Sequence, residues 1–247
     1  MYKLLIISLI FLTGACSAGS MKKKNQAPEE KTIFSTNISG NGEEISIDLT
    51  RGESFYYPLF AVWLEETDGK YIQTLYVARS VATGIFAYGR QDKNKWTEAP
   101  KRAPQTLPYW AHKRGIKASD GLFVPDQSTA VPDAYTGATP VKGFIMTSRA
   151  DKPLPAKFKL MLEINQNWDW NEYWTNDRYP GDENYSMSCQ PSLIYEADIE
   201  LNSNIKTYPM KPVGHGHYSG KTGELFPDLS SLTTALQIAD SIIVRVK

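Results

Sequence analysis

The stretch Asp133-Ala134-Tyr135-Thr136-Gly137-Ala138-Thr139 packs the most usable chemistry into the fewest residues. It holds an acid, two threonine hydroxyls, and a Gly-Ala pair that leaves the last threonine sterically open. Pro132 and Pro140 bracket it, so neither a helix nor a central strand can run through it. The expectation is an exposed loop whose final hydroxyl another protein can reach. The same residue types also build ordinary polar turns.

Other groups compete for a site. His215-Gly216-His217 would set two imidazoles on one face of a strand, with His112 or Asp228 to complete a metal clamp. Gly214 and Gly216 make this segment read as a flexible turn, so a structural or surface role for each histidine is the default. Asn167-Trp168-Asp169-Trp170-Asn171-Glu172-Tyr173-Trp174 interleaves indoles with acids and amides. That suits a sugar-binding platform or an aromatic wall for isoalloxazine. The plainer reading is a loop pinned to the body by buried indoles. The acid pairs Asp169/Glu172 and Asp182/Glu183 lie in polar loops where carboxylates are usually solvated, and nothing fixes a separation for glycoside hydrolysis. Gly-x-Ser-x-Gly, His-Glu-x-x-His and CxxCH are missing. The hydrolase readings are therefore weak.

The heptad resembles the Asp-x-x-Thr-Gly-Ala-Thr acceptor motif of covalently flavinylated extracytoplasmic proteins. In that family a Mg-dependent flavin transferase uses FAD to join FMN to the last threonine through a phosphoester. The resemblance implies that Thr139 is the attachment residue and that Asp133, Thr136, Gly137 and Ala138 are recognition residues. The rest of the chain does not look like the FMN-binding domain of sodium-pumping redox complexes. Phe60-Ala61-Val62-Trp63-Leu64-Glu65 and Asp68-Gly69-Lys70-Tyr71-Ile72-Gln73-Thr74-Leu75 look instead like an uncharacterised family of predicted periplasmic proteins. Its members often occur beside PepSY-type membrane proteins and carry a similar threonine motif; the likeness spans residues 55–165. Together these resemblances imply an extracytoplasmic electron carrier. Its partners would be a flavin transferase and a PepSY-type or other membrane reductase. Two alternatives stand beside it: a sugar- or peptide-binding module using the loop 168–174, and a structural lipoprotein of the cell envelope.

Composition sets the outer bounds. The 247 residues suit one large all-β domain or two small ones. Lys plus Arg and Asp plus Glu both number 27, so no strong field attracts nucleic acid. Aromatics reach 12%, which fits strands better than helices.

Lys3 followed by the apolar residues 4–12 reads as an export signal too short to span a bilayer. It ends in Leu12-Thr13-Gly14-Ala15-Cys16, which resembles a lipobox and implies lipidation of Cys16 after removal of residues 1–15. Several acyl chains would anchor the protein firmly. Residues 16–31 then form a flexible tether and residues 32–247 the folded body. No acidic cluster directly follows Cys16, which favours the periplasmic face. Cys189 would be the one remaining cysteine, so no internal disulfide is expected, and it reads as a buried, inert thiol.

The elements that must position these groups are mostly strands. Period-two alternation marks 45–49, 157–165 and 241–247. Strands at 59–66 and 71–78 flank Thr67-Asp68-Gly69-Lys70, a hairpin turn. Shorter strands are expected at 84–88, 141–148 and 193–201. In the hairpin Phe60, Val62 and Leu64 share a packed face, while Ala61, Trp63 and Glu65 share an aromatic but partly polar one. Residues 80–132 show little regular structure, and a stretch that long could wall a flavin pocket. Residues 229–239, opening with Asp228 or Ser230 as N-cap, read as the one short helix. The expected fold is a single elaborated immunoglobulin-like β-sandwich with long loops.

Overall fold

The computed structural model describes residues 30–247. Cys16, the export signal and most of the expected tether lie outside the described residues. Glu30 and Lys31, at the tether's end, are already engaged: Lys142 donates to Glu30 at 2.9 Å, and Lys31 reaches Asp48 and Thr50.

Four strands open the body: β1 (Thr32–Thr36), β2 (Glu44–Arg51), β3 (Leu59–Glu65) and β4 (Tyr71–Ala78). A long excursion follows, with helix α1 (Arg79–Thr83), the hairpin of β5 (Ile85–Asp92) and β6 (Lys95–Pro100), and helix α2 (Pro108–Arg114). The chain returns through the 3-10 turn Asp133–Tyr135 into β7 (Thr136–Gly137). It continues with β8 (Phe144–Arg149), β9 (Lys157–Asn165), α3 (Glu183–Ser188) and β10 (Leu193–Glu200). The last elements are β11 (Tyr208–Pro209), β12 (Lys211–His215) and β13 (Ala239–Val246).

The described residues are mostly β and form three sheets. A five-stranded sheet runs β1-β8-β2-β13-β11, and a six-stranded sheet runs β12-β10-β9-β3-β4-β7. β5 and β6 pair only with each other. The two large sheets share one core in a sandwich-like arrangement. Ile45, Ile47 and Leu49 point in from β2, and Phe60, Val62 and Leu64 meet them from β3. Phe60 is the hinge pin, stacked on Tyr76 at 4.6 Å and on Phe144 at 4.8 Å.

β2 alternates because its sheet has one wet face. β3, β4 and β9 do not, because the excursion covers their second face. Ala61, Trp63, Val77, Met161 and Ile194 pack there against Val81, Leu107, Trp110 and Val131. The face expected to be partly polar is therefore buried, and Trp63 is 0% exposed. Its polar groups are paired: Trp63 Nε1 donates to Glu65 at 2.7 Å, and Lys113 donates to Glu65 at 3.2 Å.

α2 explains how the cover is held. Pro108 starts it with a pre-set φ, but Leu107 provides no capping side chain. The fully buried Glu163 takes that role from β9. It accepts the first-turn N–H groups of Tyr109 at 3.2 Å and Trp110 at 2.7 Å, and the Ser192 hydroxyl at 2.5 Å. Gly115 closes the helix at φ 75 with its N–H on Ala111 O, beneath a basic last turn.

Two sequence expectations need correction. Residues 229–239 are not a helix; they hold only the 3-10 turn Thr234–Gln237 and the start of β13. Their hydroxyls bond elsewhere: Ser231 accepts Trp174 Nε1, and Thr234 donates to Asp169. The α-helices are α1, α2 and α3, none of them in that segment.

Burial pushes the Glu163 carboxyl up to about 7 against the three donors that hold it down. A folded pKa raised above the unfolded value of 4.5 means that this contribution to stability is full below 4.5 and is lost as pH climbs through about 7. The difference in unfolding free energy between wild type and Glu163→Gln, from urea titrations, is therefore expected to shrink across that window. Glu163→Ala, which orphans all three donors, is expected to cost about 3 kcal/mol in the same assay.

Candidate functional site

The heptad is built onto the free edge of β4. Thr136 and Gly137 pair in parallel with Val77 and Ala78, and the Asn37 N–H donates to Ala134 O at 2.8 Å. Thr136 is buried, and its hydroxyl lies 3.4 Å from Asp133 O. Gly137 lies against the Tyr76 ring, where a Cβ would come within 2.9 Å of Cε2. The Tyr76 hydroxyl donates to Gly137 O at 3.3 Å and Ala138 O at 3.1 Å. Burial raises the Tyr76 pKa, so this donor stays protonated.

The remaining motif residues face outward. The Asp133 side chain is 89% exposed, with Arg79 as an ion partner at 4.0 Å. Ala138 is exposed and Thr139 half-buried. The Thr139 hydroxyl makes no hydrogen bond among the described residues. The segment is thus less exposed than its residue types suggest: Thr136 and Pro140 are buried and Thr139 is half-buried.

Register places this hydroxyl along the molecule. The chain leaves β7 beyond Ala78, then reaches Lys142, the partner of Glu30, and Phe144, the partner of Thr32. Thr139 thus lies at the end where residue 30 meets the body. At the opposite end of β4 is a cleft of about 690 Å³ lined by Tyr71, Gln73, Arg114, Tyr135, Asp151 and Leu154. Arg114 and Val131 come from the 80–132 excursion, which was expected to wall a flavin pocket, but Thr139 is not part of this lining. Tyr135 donates to both Asp151 oxygens at 2.8 Å. Burial and that carboxylate push its own pKa up to about 12. The cleft draws residues from four separate segments, and no local sequence signal marks it.

The histidines do not form a clamp. β12 ends at His215, which is buried, stacked on Phe226 at 5.3 Å, and has Nδ1 2.8 Å from Gly216 O. Burial lowers the pKa of both His215 and His217. His217 stacks on Tyr218 at 4.4 Å, and His112 packs on Phe123 at 4.3 Å. Among the described residues no group of three or more His, Cys, Asp or Glu is arranged to hold a metal ion. Gly216 is tightly packed rather than flexible, since a Cβ there would fall 2.6 Å from Ser192 Oγ.

In the aromatic loop, Trp174 is the pin: it is 5% exposed and donates to Ser231 Oγ at 3.0 Å. Trp168 and Trp170 instead turn outward, 58% and 57% exposed. Asp169 departs from the expectation of a solvated acid. It bonds the Thr234 hydroxyl, and burial raises its pKa. Asp182 caps α3 by accepting Tyr185 N–H at 3.0 Å. Cys189 is free and fully buried, and burial raises its pKa.

No family model, curated protein or solved structure matches the chain.

The Gly137 contact can be tested directly. Gly137→Ala forces a Cβ into the Tyr76 ring and is expected to lower stability by about 1–3 kcal/mol in urea unfolding. Ala138→Ser, at an exposed position, is expected to change it by less than about 0.5 kcal/mol.

Proposed function

We propose that this protein is an exported lipoprotein of the bacterial envelope, anchored through Cys16 and facing the periplasm, that carries FMN esterified to Thr139 and passes electrons. The observation that carries this reading is the Thr139 hydroxyl, unbonded and half-buried beyond a glycine packed on Tyr76. Thr136 and Gly137 serve to fasten the loop, while Asp133 and Ala138 remain open to a transferase. The frame, in this reading, is an elaborated immunoglobulin-like sandwich.

Attachment would form a bond from Thr139 Oγ to phosphorus and break the phosphoanhydride of FAD. The hydroxyl proton leaves and AMP departs. The transferase supplies catalysis and this chain supplies the acceptor. FMN, once bound, brings one- and two-electron chemistry. The protein's own part would be placement: Thr139 precedes Lys142, the partner of Glu30, which supports a reading in which it faces a PepSY-type or other membrane reductase. A second reading, a sugar- or peptide-binding module, rests on the outward indoles of Trp168 and Trp170.

The test is the intact mass of the protein after export alongside a flavin transferase that modifies a control substrate. A gain of one FMN unit, lost in Thr139→Ala while the urea midpoint stays unchanged, is the expected result. No gain would sink the flavin reading. Saturable glycan or peptide binding, abolished by Trp168→Ala with Trp170→Ala, would then support the second.

A further inference from the structure

We infer that the cleft between the start of β4, the end of α2 and the turn after β8 binds a small organic anion. Arg114 and Gln73 would hold its oxyanion, and Tyr71 and Tyr135 would flank its body. This site is separate from Thr139, which lies at the other end of β4.

The argument starts from unmet hydrogen bonds. Buried polar groups are almost always paired. Among the described residues four buried side-chain polar atoms have no partner, and two of these, Gln73 Nε2 and Arg114 Nη1, belong to residues lining this one cleft. Both are donors. The Gln73 amide is oriented by its own Oε1, which accepts the Asp151 N–H at 2.9 Å, so Nε2 is left facing no acceptor. Arg114 donates through Nη2 to Thr129 O, and no carboxylate pairs with it among the described residues. Burial already disfavours its charged form. The negative end of α2 offsets part of that cost. A ligand oxyanion in the cleft would offer each donor an acceptor once the side chain turned to meet it.

The acids nearby do not reverse this preference. Asp151 is engaged by the Tyr135 hydroxyl and by Asn37 Nδ2 at 2.8 Å, and Glu66 pairs with Lys70 at 3.2 Å. Lys152 adds a cation to the lining. The rest of the wall is apolar or aromatic, including Ile116, Val131 and Leu154. A bare inorganic ion would use the donors but leave that wall wet. An organic anion with a flat or apolar body would use both.

Calorimetric titration of the purified protein with phenyl phosphate, and separately with inorganic phosphate at matched ionic strength, tests this. The expected result is saturable binding of phenyl phosphate, at least tenfold tighter than inorganic phosphate. Arg114→Gln should weaken it at least tenfold, while Thr139→Ala leaves it unchanged. Ile116→Trp, at a position 44% exposed, narrows the cleft without touching either donor. It should also weaken binding, which keeps the test decisive if Arg114→Gln fails to fold. No saturable binding, or the same affinity in both cleft variants, would overturn the site. Equal affinity for inorganic phosphate would overturn the organic body. Because the readout needs no flavin, its outcome is independent of the Thr139 reading.

Discussion

Burying the Glu163 carboxylate is the constraint from which the outer layer of this protein follows. Glu163 stands on β9, near the middle of the six-stranded sheet, on the face turned away from β2. A lone carboxylate there would be prohibitively costly. It is tolerated because two amides of α2 and the Ser192 hydroxyl converge on it. Two residues on, Asn165 repeats the device: its Nδ2 donates to Gln105 O at 3.1 Å, Thr106 O at 3.0 Å and Ser188 Oγ at 3.0 Å. One edge of one strand thereby fixes the approach to α2, the start of α2, the end of α3 and the turn at Ser192. Trp110, positioned by this, sends its Nε1 to Thr74 at 2.9 Å on β4. Polar pairing sets the register of the cover, and the apolar cluster beneath it supplies the driving force.

What could be read from the sequence divides along the same line. β2 and β13 kept their period-two pattern because one face is wet, and Asp68-Gly69 announced its hairpin because that turn needs a positive φ, found at Gly69. α2 left a fainter trace. It has only seven residues, and although Pro108 and Gly115 mark its ends, the side chain that caps its first turn comes from more than fifty positions away. Residues 229–239 made the opposite error: apolar spacing suited a helix, but Ser231 and Thr234 are claimed by Trp174, Asp169 and Gln190. At the site, the loop character of the heptad was legible because its prolines, glycine and hydroxyls are local, but its fastening to Tyr76, more than sixty positions away, was not. The cleft was not, because Gln73, Arg114, Tyr135 and Asp151 meet only through the fold.

β4 gives the molecule two ends with different chemistry. It would otherwise be a long exposed edge, and β7 covers only its last two residues. Toward Tyr71 the edge opens into the cleft, with its half-buried arginine and tyrosines. Toward Ala78 it carries the heptad past Arg79 to the end where Glu30 and Thr32 are held. A group tethered at one end and a ligand bound at the other would not compete for space, which is why each can be probed alone.

The heptad itself shows how one loop can be both rigid and reachable. A simple polar turn spends its side chains on its own backbone. Here only Thr136 does so, weakly, at 3.4 Å. The fixing is done from outside, by Tyr76: its ring excludes any side chain at Gly137, its hydroxyl takes two successive carbonyls, and its stacking on Phe60 ties the loop to the core. Pro140, buried, restricts the backbone on the far side. Thr139 sits between these two restraints with nothing among the described residues bonded to its hydroxyl. Were Tyr76 removed, the same residues would still form a loop, but Thr139 would lose its defined position relative to the sheet. Accessibility alone is common on protein surfaces. A hydroxyl whose backbone is held by the core is less common, and that is the feature on which the proposed attachment at Thr139 rests.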